Sequence, residues 1–235
     1  MNVETERVAR ARRLLAAIEK NHSPAALASS FGAEDMVLLD LIARDGLAIR
    51  IFTLDTGRLP RETHDLITKV RRHYGVQVDV YSPWPDSVES YVAEYGVDGF
   101  YDGIEERAAC CNVRKVEPLK RALAGKRAWI TGLRREQAAS RVDVAESAQD
   151  PAHRNWKFNP LVDWSETEVW QYLREHRVPY NALHDRGYPS IGCEPCTRAV
   201  KPGEHPRAGR WWWEQEGAKK ECGLHAIPIR VAQPA

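Results

Sequence analysis

Cysteines are the residues of this 235-residue chain whose types and spacing best suit chemistry. Four of them form two close pairs: Cys110 with the adjacent Cys111, and Cys193 with Cys196 in a C-x-x-C spacing. Four thiolates in two pairs can bind one metal centre, which would join two distant segments of the folded chain. A disulfide interpretation is weaker, because nothing in the sequence indicates an oxidising compartment.

Two kinds of metal centre compete for these thiolates. Zinc is the commoner metal for four cysteines, but its sites usually separate the members of each pair by two to four residues. Cys110 and Cys111 have no spacer. An iron–sulfur cubane has four separate iron corners, so that neighbouring thiolates can each bind their own iron. The spacing alone leaves both metals open.

The fifth cysteine, Cys222, stands apart from both pairs, near the C-terminus. A free thiol is partly ionised near neutral pH and is then a nucleophile. Lys219, Lys220 and His225 could support the thiolate, whereas Glu221 would oppose it. Cys222 is therefore a candidate nucleophile, and an unused surface thiol is the alternative.

Composition excludes some classes of function. The net charge is +1 and hydrophobic residues make up 43% of the chain, enough for a real core. This charge balance indicates neither nucleic acid nor an anionic membrane as a partner. The charged N-terminus lacks the apolar segment of a signal peptide, and no apolar run reaches membrane-spanning length. We therefore expect a cytoplasmic protein in which unpaired cysteines act as ligands or nucleophiles.

Hydrophobic periodicity predicts alternating helices and strands. The predicted helices cover residues 4–20, 33–44, 60–74, 110–123 and 165–176. The predicted strands cover 47–55, 76–80 and 128–133, and a further short strand lies in the apolar run of residues 24–30. This alternation favours an α/β fold, a doubly wound and mostly parallel sheet with helices on both faces. Residues 141–160 are less regular. We expect a nucleotide-binding α/β domain with the metal site at residues 1–205 and a mobile C-terminal catalytic tail at 206–235.

Three polar loops follow predicted strands and should meet at one edge of the sheet. Open α/β sheets bind ligands at the carboxyl ends of their strands. Small residues before a helix suit an anion, and paired arginines suit phosphate or sulfate. Each loop alone could be a solvated turn, but three on one edge predict a nucleotide site. The candidate binding residues are Ser29, Ser30, Phe31 and Gly32; Leu54, Asp55, Thr56 and Gly57; and Gly132, Arg134 and Arg135.

From about residue 28 to 225 the sequence resembles adenylyl-sulfate and phosphoadenylyl-sulfate reductases. The three loops look like that family's modified pyrophosphatase loop, LDTG loop and arginine loop. The segments around Cys110-Cys111 and Cys193–Cys196 look like its iron–sulfur segments, and the segment around Cys222 looks like its catalytic tail. The resemblance implies an adenine-nucleotide alpha-hydrolase-like fold.

The resemblance also implies an activity. Cluster-bearing members are typically selective for adenosine 5′-phosphosulfate (APS), which they reduce to sulfite and AMP with thioredoxin, through an S-sulfocysteine, in assimilatory sulfate reduction. It assigns a [4Fe-4S] cluster to Cys110, Cys111, Cys193 and Cys196, and the nucleophile to Cys222 with support from His225. It places Lys115, Arg207 and Arg210 at the sulfate end of the substrate. The alternatives are a reductase of the 3′-phosphorylated nucleotide and a zinc-stapled adenylate-binding protein. The oligomeric state, a homo-oligomer included, stays open.

Overall fold

A computed structural model describes residues 3–214 and 223–224. Its centre is a six-stranded sheet in the order β3-β2-β1-β4-β6-β5. The strands are β1 Ala25–Ala28, β2 Arg50–Leu54, β3 Val78–Tyr81, β4 Ala128–Ile130, β5 Ser147–Asp150 and β6 Asn155–Phe158. All neighbours pair in parallel except β5, which is antiparallel to β6. The predicted mostly parallel sheet is confirmed.

Seven α-helices accompany the sheet in the described part of the chain. They are α1 Val3–His22, α2 Ala33–Arg44, α3 Arg61–Tyr74, α4 Pro85–Tyr95, α5 Ile104–Cys111, α6 Glu117–Leu123 and α7 Glu166–Glu175. A π-helical segment, Asn112–Val116, joins α5 to α6. None of the described helices is long and apolar enough to cross a bilayer.

Alternate residues of the strands supply two cores, one on each face of the sheet. Ala25 and Leu27 of β1 face a large cluster that includes buried residues of α1, α2, α3 and α7. Ala26 between them faces a smaller cluster with Phe52, Trp129 and three residues of α6. Since side chains alternate along a strand, a sheet with helices on both faces needs apolar residues at nearly every strand position.

Local sequence signals explain where the helices begin and end. Ser165 caps α7 with a capping box, in which the Glu168 backbone N–H donates to the Ser165 hydroxyl at 3.2 Å. Gly75 ends α3 with a left-handed φ of 66°, which glycine adopts without steric cost. Helix α2 has the predicted bounds. Helix α4 and the strands β5 and β6 were not predicted, because their sequences lack a strong periodic apolar pattern.

Candidate functional site

A cavity of about 410 Å³ opens at the carboxyl ends of β1, β2 and β4. These strands are neighbours and parallel, so the loops that follow them meet at the same edge of the sheet. Ten of the predicted binding residues line the cavity: Ser29, Ser30, Gly32, Leu54, Thr56, Lys115, Gly132, Arg134, Arg207 and Arg210. The structure thus brings together the three loops and the three cations predicted at the sulfate end.

Four predicted binding residues do not line this cavity. Phe31 is 1% exposed and packs in the large core cluster, with a left-handed φ of 61°. Asp55 lies 3.1 Å from His64 Nε2 and accepts a hydrogen bond from the Gly57 backbone N–H at 2.9 Å. Arg135 forms an ion pair with Asp163 on the outside. In this structure these residues shape the loops rather than contact the cavity.

The first turn of α2, directly after the loop that follows β1, carries a buried carboxylate, Asp35. Its Oδ2 accepts hydrogen bonds from the Ser30 backbone N–H at 2.6 Å and from the Ser30 hydroxyl at 2.7 Å. Burial raises the pKa of Asp35 to about 6, against the lowering effect of these hydrogen bonds. Gly32, Ala33 and Asp35 all line the cavity, so the positive end of the α2 dipole faces it.

Gly132 brings the loop after β4 into direct contact with the first turn of α2. A Cβ atom on Gly132 would lie 2.5 Å from Asp35 Oδ1 and 2.7 Å from Glu34 Cβ. Such distances are far below van der Waals contact, so only glycine allows the loop to approach the helix this closely.

Arg134 lines the cavity, but acidic side chains already hold its guanidinium. Its Nε donates to Glu34 at 2.9 Å, and its Nη1 donates to Glu136 at 3.0 Å and to the Trp164 carbonyl at 3.1 Å. The side chain is 5% exposed. Its charge is therefore largely compensated, and in this arrangement Arg134 joins the cavity wall to the start of α7.

Lys115, Arg207 and Arg210 make one side of the cavity cationic. Lys115 lies in the π-helical segment directly after the Cys110-Cys111 pair. The buried Arg210 guanidinium lies 4.8 Å from the centre of the Trp211 ring and donates from Nη1 to the Ile191 carbonyl at 3.3 Å. Cys193 lines the same cavity. A tetrahedral dianion placed here would meet several cations beside a cysteine pair.

Gly192 makes room for the Arg210 side chain. A Cβ atom on Gly192 would lie 2.3 Å from Arg210 Nη2. A side chain on the residue before the first cysteine of the C-x-x-C pair would therefore displace the Arg210 guanidinium from this position.

The two cysteine pairs meet, as the sequence predicted. Cys110, Cys111, Cys193 and Cys196 are all buried and none forms a disulfide. Three of them share an apolar cluster with Tyr91, Phe100 and Trp211. The fourth, Cys111, lies close enough to Cys196 to add to the rise in its pKa. Among the described residues, no three His, Cys, Asp or Glu side chains surround one point as ligands of a single metal ion.

The environment treats the four thiols differently. Burial raises the pKa of Cys110, and burial together with the neighbouring cysteines raises the pKa of Cys196 to about 12. Burial alone would also raise the pKa of Cys193, but Lys115, the Thr56 hydroxyl and two arginines outweigh it and lower that pKa. The cations on the cavity side therefore stabilise negative charge on the sulfur that faces the cavity.

The surroundings of the cysteines fit an iron–sulfur cluster. Four soft thiol donors come from two segments inside a largely apolar shell. The buried Trp211 Nε1 donor in that shell has no hydrogen-bond partner in the described part of the chain. An acceptor sulfur would satisfy this donor.

Comparison with known proteins identifies the family. The profile of the phosphoadenosine phosphosulfate reductase domain matches residues 24–199. The chain belongs to this family. It is 56% identical to adenosine 5′-phosphosulfate reductase of Allochromatium vinosum, over 97% of this chain and 89% of that protein. It is 53% identical to the protein of that name from Burkholderia cepacia, over 92% of this chain and 86% of that protein.

Solved structures agree with this membership. A phosphoadenylyl-sulfate reductase from Candida auris, in complex with phosphate, superposes with a TM-score of 0.69 at 27% identity, over 81% of this chain and 90% of that chain. An FMN adenylyltransferase from Candida glabrata superposes with a TM-score of 0.57 at 15% identity, over 86% of this chain and 68% of that chain, and shows the fold alone. The predicted nucleotide alpha-hydrolase-like fold and the predicted reductase family are confirmed.

Sequence reasoning missed several residues of this reductase-family cavity. Arg141 is buried in its wall. His184 also lines the cavity, and burial lowers the pKa of its imidazole. Arg141 lies in the stretch 141–160, which is irregular in sequence. Neither residue stands in a recognisable motif, so only the fold reveals them.

The segment that contains the predicted nucleophile is described only in part. Cys222 and His225, predicted as nucleophile and support, lie outside the described residues. Gly223 and Leu224 between them are described, and Leu224 lines the cavity. Trp211 is 1% exposed within the cysteine cluster.

Proposed function

We propose that this chain reduces APS to sulfite and AMP, with thioredoxin as the reductant, in assimilatory sulfate reduction. Two relatives above 50% identity carry the name adenosine 5′-phosphosulfate reductase. One structural observation carries the proposal further. The cavity wall combines nucleotide-type loops with Lys115, Arg207 and Arg210, and it includes Cys193 of the proposed cluster site.

The nucleotide fills the cavity with its two anionic groups toward the cationic side. A volume of about 410 Å³ suits a ligand of nucleotide size. Lys115, Arg207 and Arg210 neutralise the sulfate oxygens, which otherwise repel an incoming thiolate. The same contacts fix the line along which the sulfur is attacked.

Cys222 is the nucleophile of the first step. Its thiolate attacks the sulfur of APS, so that a sulfur–sulfur bond forms and the bond between sulfur and the bridging oxygen breaks. AMP leaves with the electron pair of that bond, and the enzyme keeps an S-sulfocysteine. Nucleophilic catalysis thereby divides one difficult displacement into two easier steps.

Thioredoxin thiols complete the reaction. One thiolate attacks the Cys222 sulfur and releases sulfite with the bonding electron pair, so that the transferred sulfur is reduced and a mixed disulfide forms. The second thioredoxin thiol then attacks that disulfide, which restores the Cys222 thiol and leaves thioredoxin oxidised. Both electrons come from thioredoxin. A reducing cytoplasm suits this chemistry, and residues 206–235 act as the catalytic tail of the 1–205 domain.

The four buried cysteines hold a [4Fe-4S] cluster in this proposal. When bound, the cluster supplies an anchor for both cysteine segments and a local field beside the sulfate end, without passing electrons to the substrate. Cys110 and Cys111 position Lys115 through the π-helical segment that follows them. Cys193 and Cys196 position Arg210 through the bridge between Thr197 and Arg210.

The test uses protein purified without oxygen. We expect sulfite release from APS with thioredoxin, much slower turnover of the 3′-phosphorylated nucleotide, and iron with acid-labile sulfide in the protein. Faster turnover of the 3′-phosphorylated nucleotide would reverse the substrate assignment. Zinc in place of iron, with no sulfite from either nucleotide, would favour the adenylate-binding protein.

A further inference from the structure

Leu224 packs inside the nucleotide cavity rather than on an outer surface. It lies against the smaller core cluster, which contains Phe52, Leu119 and Trp129, and it lines the cavity with these three residues. Ala28 and Leu54, at the carboxyl ends of β1 and β2, pack against the same cluster. The described part of the C-terminal segment thus has an apolar seat formed by both the sheet and α6.

The neighbouring Gly223 lies beside the helical segment that carries Lys115. A Cβ atom on Gly223 would lie 3.9 Å from Cγ2 of Val116, the residue after Lys115. Gly223 has a φ of +77°, a left-handed conformation that glycine adopts at no steric cost. Residues 223 and 224 therefore contact two sides of the site, the π-helical segment and the apolar cluster.

Chain connectivity relates this seat to the nucleophile. The residue before Gly223 is Cys222, and consecutive Cα atoms are about 3.8 Å apart. The two residues that contact the cavity and the segment with Lys115 thus directly follow the predicted nucleophile in the sequence. Binding of the segment at the cavity would raise the effective concentration of the thiol near the substrate. A thiol held there reacts faster than one on an untethered tail.

We propose that Leu224 is a positioning residue for the first step, which seats the C-terminal segment in the cavity and so delivers the Cys222 thiol to the sulfate end of the substrate. This inference rests on the proposed function. The seat acts in sulfur transfer from APS and is released when the S-sulfocysteine meets thioredoxin. Leu224 contacts no reacting atom in this scheme and acts only through the position of its neighbour.

The test separates the two half-reactions in Leu224→Ala and Leu224→Met. Val80→Ala, at a half-exposed position of β3, removes a similar apolar group elsewhere and serves as the matched control. AMP release from saturating APS without reductant measures adduct formation. Sulfite release from the isolated adduct with thioredoxin measures its reduction. Iron content and thermal midpoint report whether each variant keeps its fold.

We expect Leu224→Ala to form the adduct about tenfold more slowly, as the loss of a partly buried leucine side chain allows, and to reduce it at the wild-type rate. Leu224→Met and Val80→Ala should match the wild type in both steps. Unchanged adduct formation in Leu224→Ala would overturn the inference. Tighter AMP binding by Leu224→Ala with faster adduct formation would also overturn it, because Leu224 would then be a plug. If the wild type itself releases no AMP from APS, the proposed function fails instead.

Discussion

The hydroxyl oxygen of Thr56 lies 3.2 Å from the sulfur of Cys193. This contact joins the loop after β2 to the C-x-x-C pair, although the two residues are far apart in sequence. The Thr56 carbonyl also accepts a hydrogen bond from Arg114 Nη1 at 2.7 Å, close to the first cysteine pair. Since Thr56 and Cys193 both line the cavity, nucleotide loop and cysteine site form one structural unit.

Thr56→Val should weaken the connection between the nucleotide loop and the cysteine site without loss of the bound cluster. Valine keeps the shape of threonine but cannot form the hydrogen bond with the Cys193 sulfur, so we expect about a tenfold loss of turnover, as for one hydrogen bond to a charged group. The visible absorbance of the cluster should shift as well. Thr56→Ser keeps the hydroxyl and is the control. Wild-type turnover and absorbance in Thr56→Val would show that the contact between Thr56 and Cys193 does not contribute to activity.

Lys115→Met should slow the first half-reaction more than the second. Lys115 lines the cavity next to Cys193 and lowers the pKa of that thiol, so its charge acts on this side of the site. We expect adduct formation to fall about a hundredfold, the typical loss for one charge-stabilising group, with little change in adduct reduction by thioredoxin. The exposed Lys120 of α6 provides the matched control, Lys120→Met. Equal slowing of both steps by Lys115→Met would contradict the assignment.

Most of the fold could be predicted because its strands and helices carry strong local signals. The buried strand β2, the capping box at Ser165 and the apolar positions of α2 fixed their elements. Strand β5 could not be predicted, because only one of its four residues is buried and its partner holds it at an edge of the sheet. Helix α4 buries only Tyr91 fully, so its periodicity is weak.

Glu214→Ala should destabilise the protein strongly. Arg107 and Glu214 form an ion pair with side chains only 3% and 4% exposed, and the Arg107 guanidinium lies 4.7 Å from the centre of the Trp211 ring. Removal of one partner leaves the other with a buried charge, which costs about 3–5 kcal/mol. Chemical unfolding measures the loss of stability. The control is Glu204→Ala, which removes an ion pair with Arg198 whose side chains are 28% and 35% exposed. A loss for Glu214→Ala as small as that of the control would refute the buried-pair account.

Asp35→Asn should remove a pH dependence of stability. Burial raises the folded-state pKa of Asp35 from 3.8 to about 6, so the folded protein keeps a proton that the unfolded chain loses. This contribution is complete below the unfolded pKa and disappears as the pH rises through about 6. The wild type should therefore lose on the order of 3 kcal/mol of unfolding free energy across this range relative to Asp35→Asn. Parallel curves of unfolding free energy against pH for the two proteins would contradict the raised pKa of this carboxyl group.

The site was only partly predictable, since motifs reveal chain segments but not where each side chain points. The cysteine pairs and the three loops were found because their residue types are unusual in sequence. Arg135, in the same motif as Arg134, pairs instead with Asp163 outside the cavity. Two short 3-10 turns over residues 135–141 place Arg141 in the cavity wall. No local sequence pattern predicts these turns.

A single-turnover measurement tests the central claim most directly. The protein is mixed with excess APS in the absence of any reductant, and AMP and intact mass are followed, with Cys222→Ser as the control. The account predicts one AMP per enzyme, an added SO3 group on the peptide that contains Cys222, and release of sulfite only when thioredoxin is added. AMP that appears only with thioredoxin, with no adduct on Cys222, would contradict the account and favour direct attack by the external thiol.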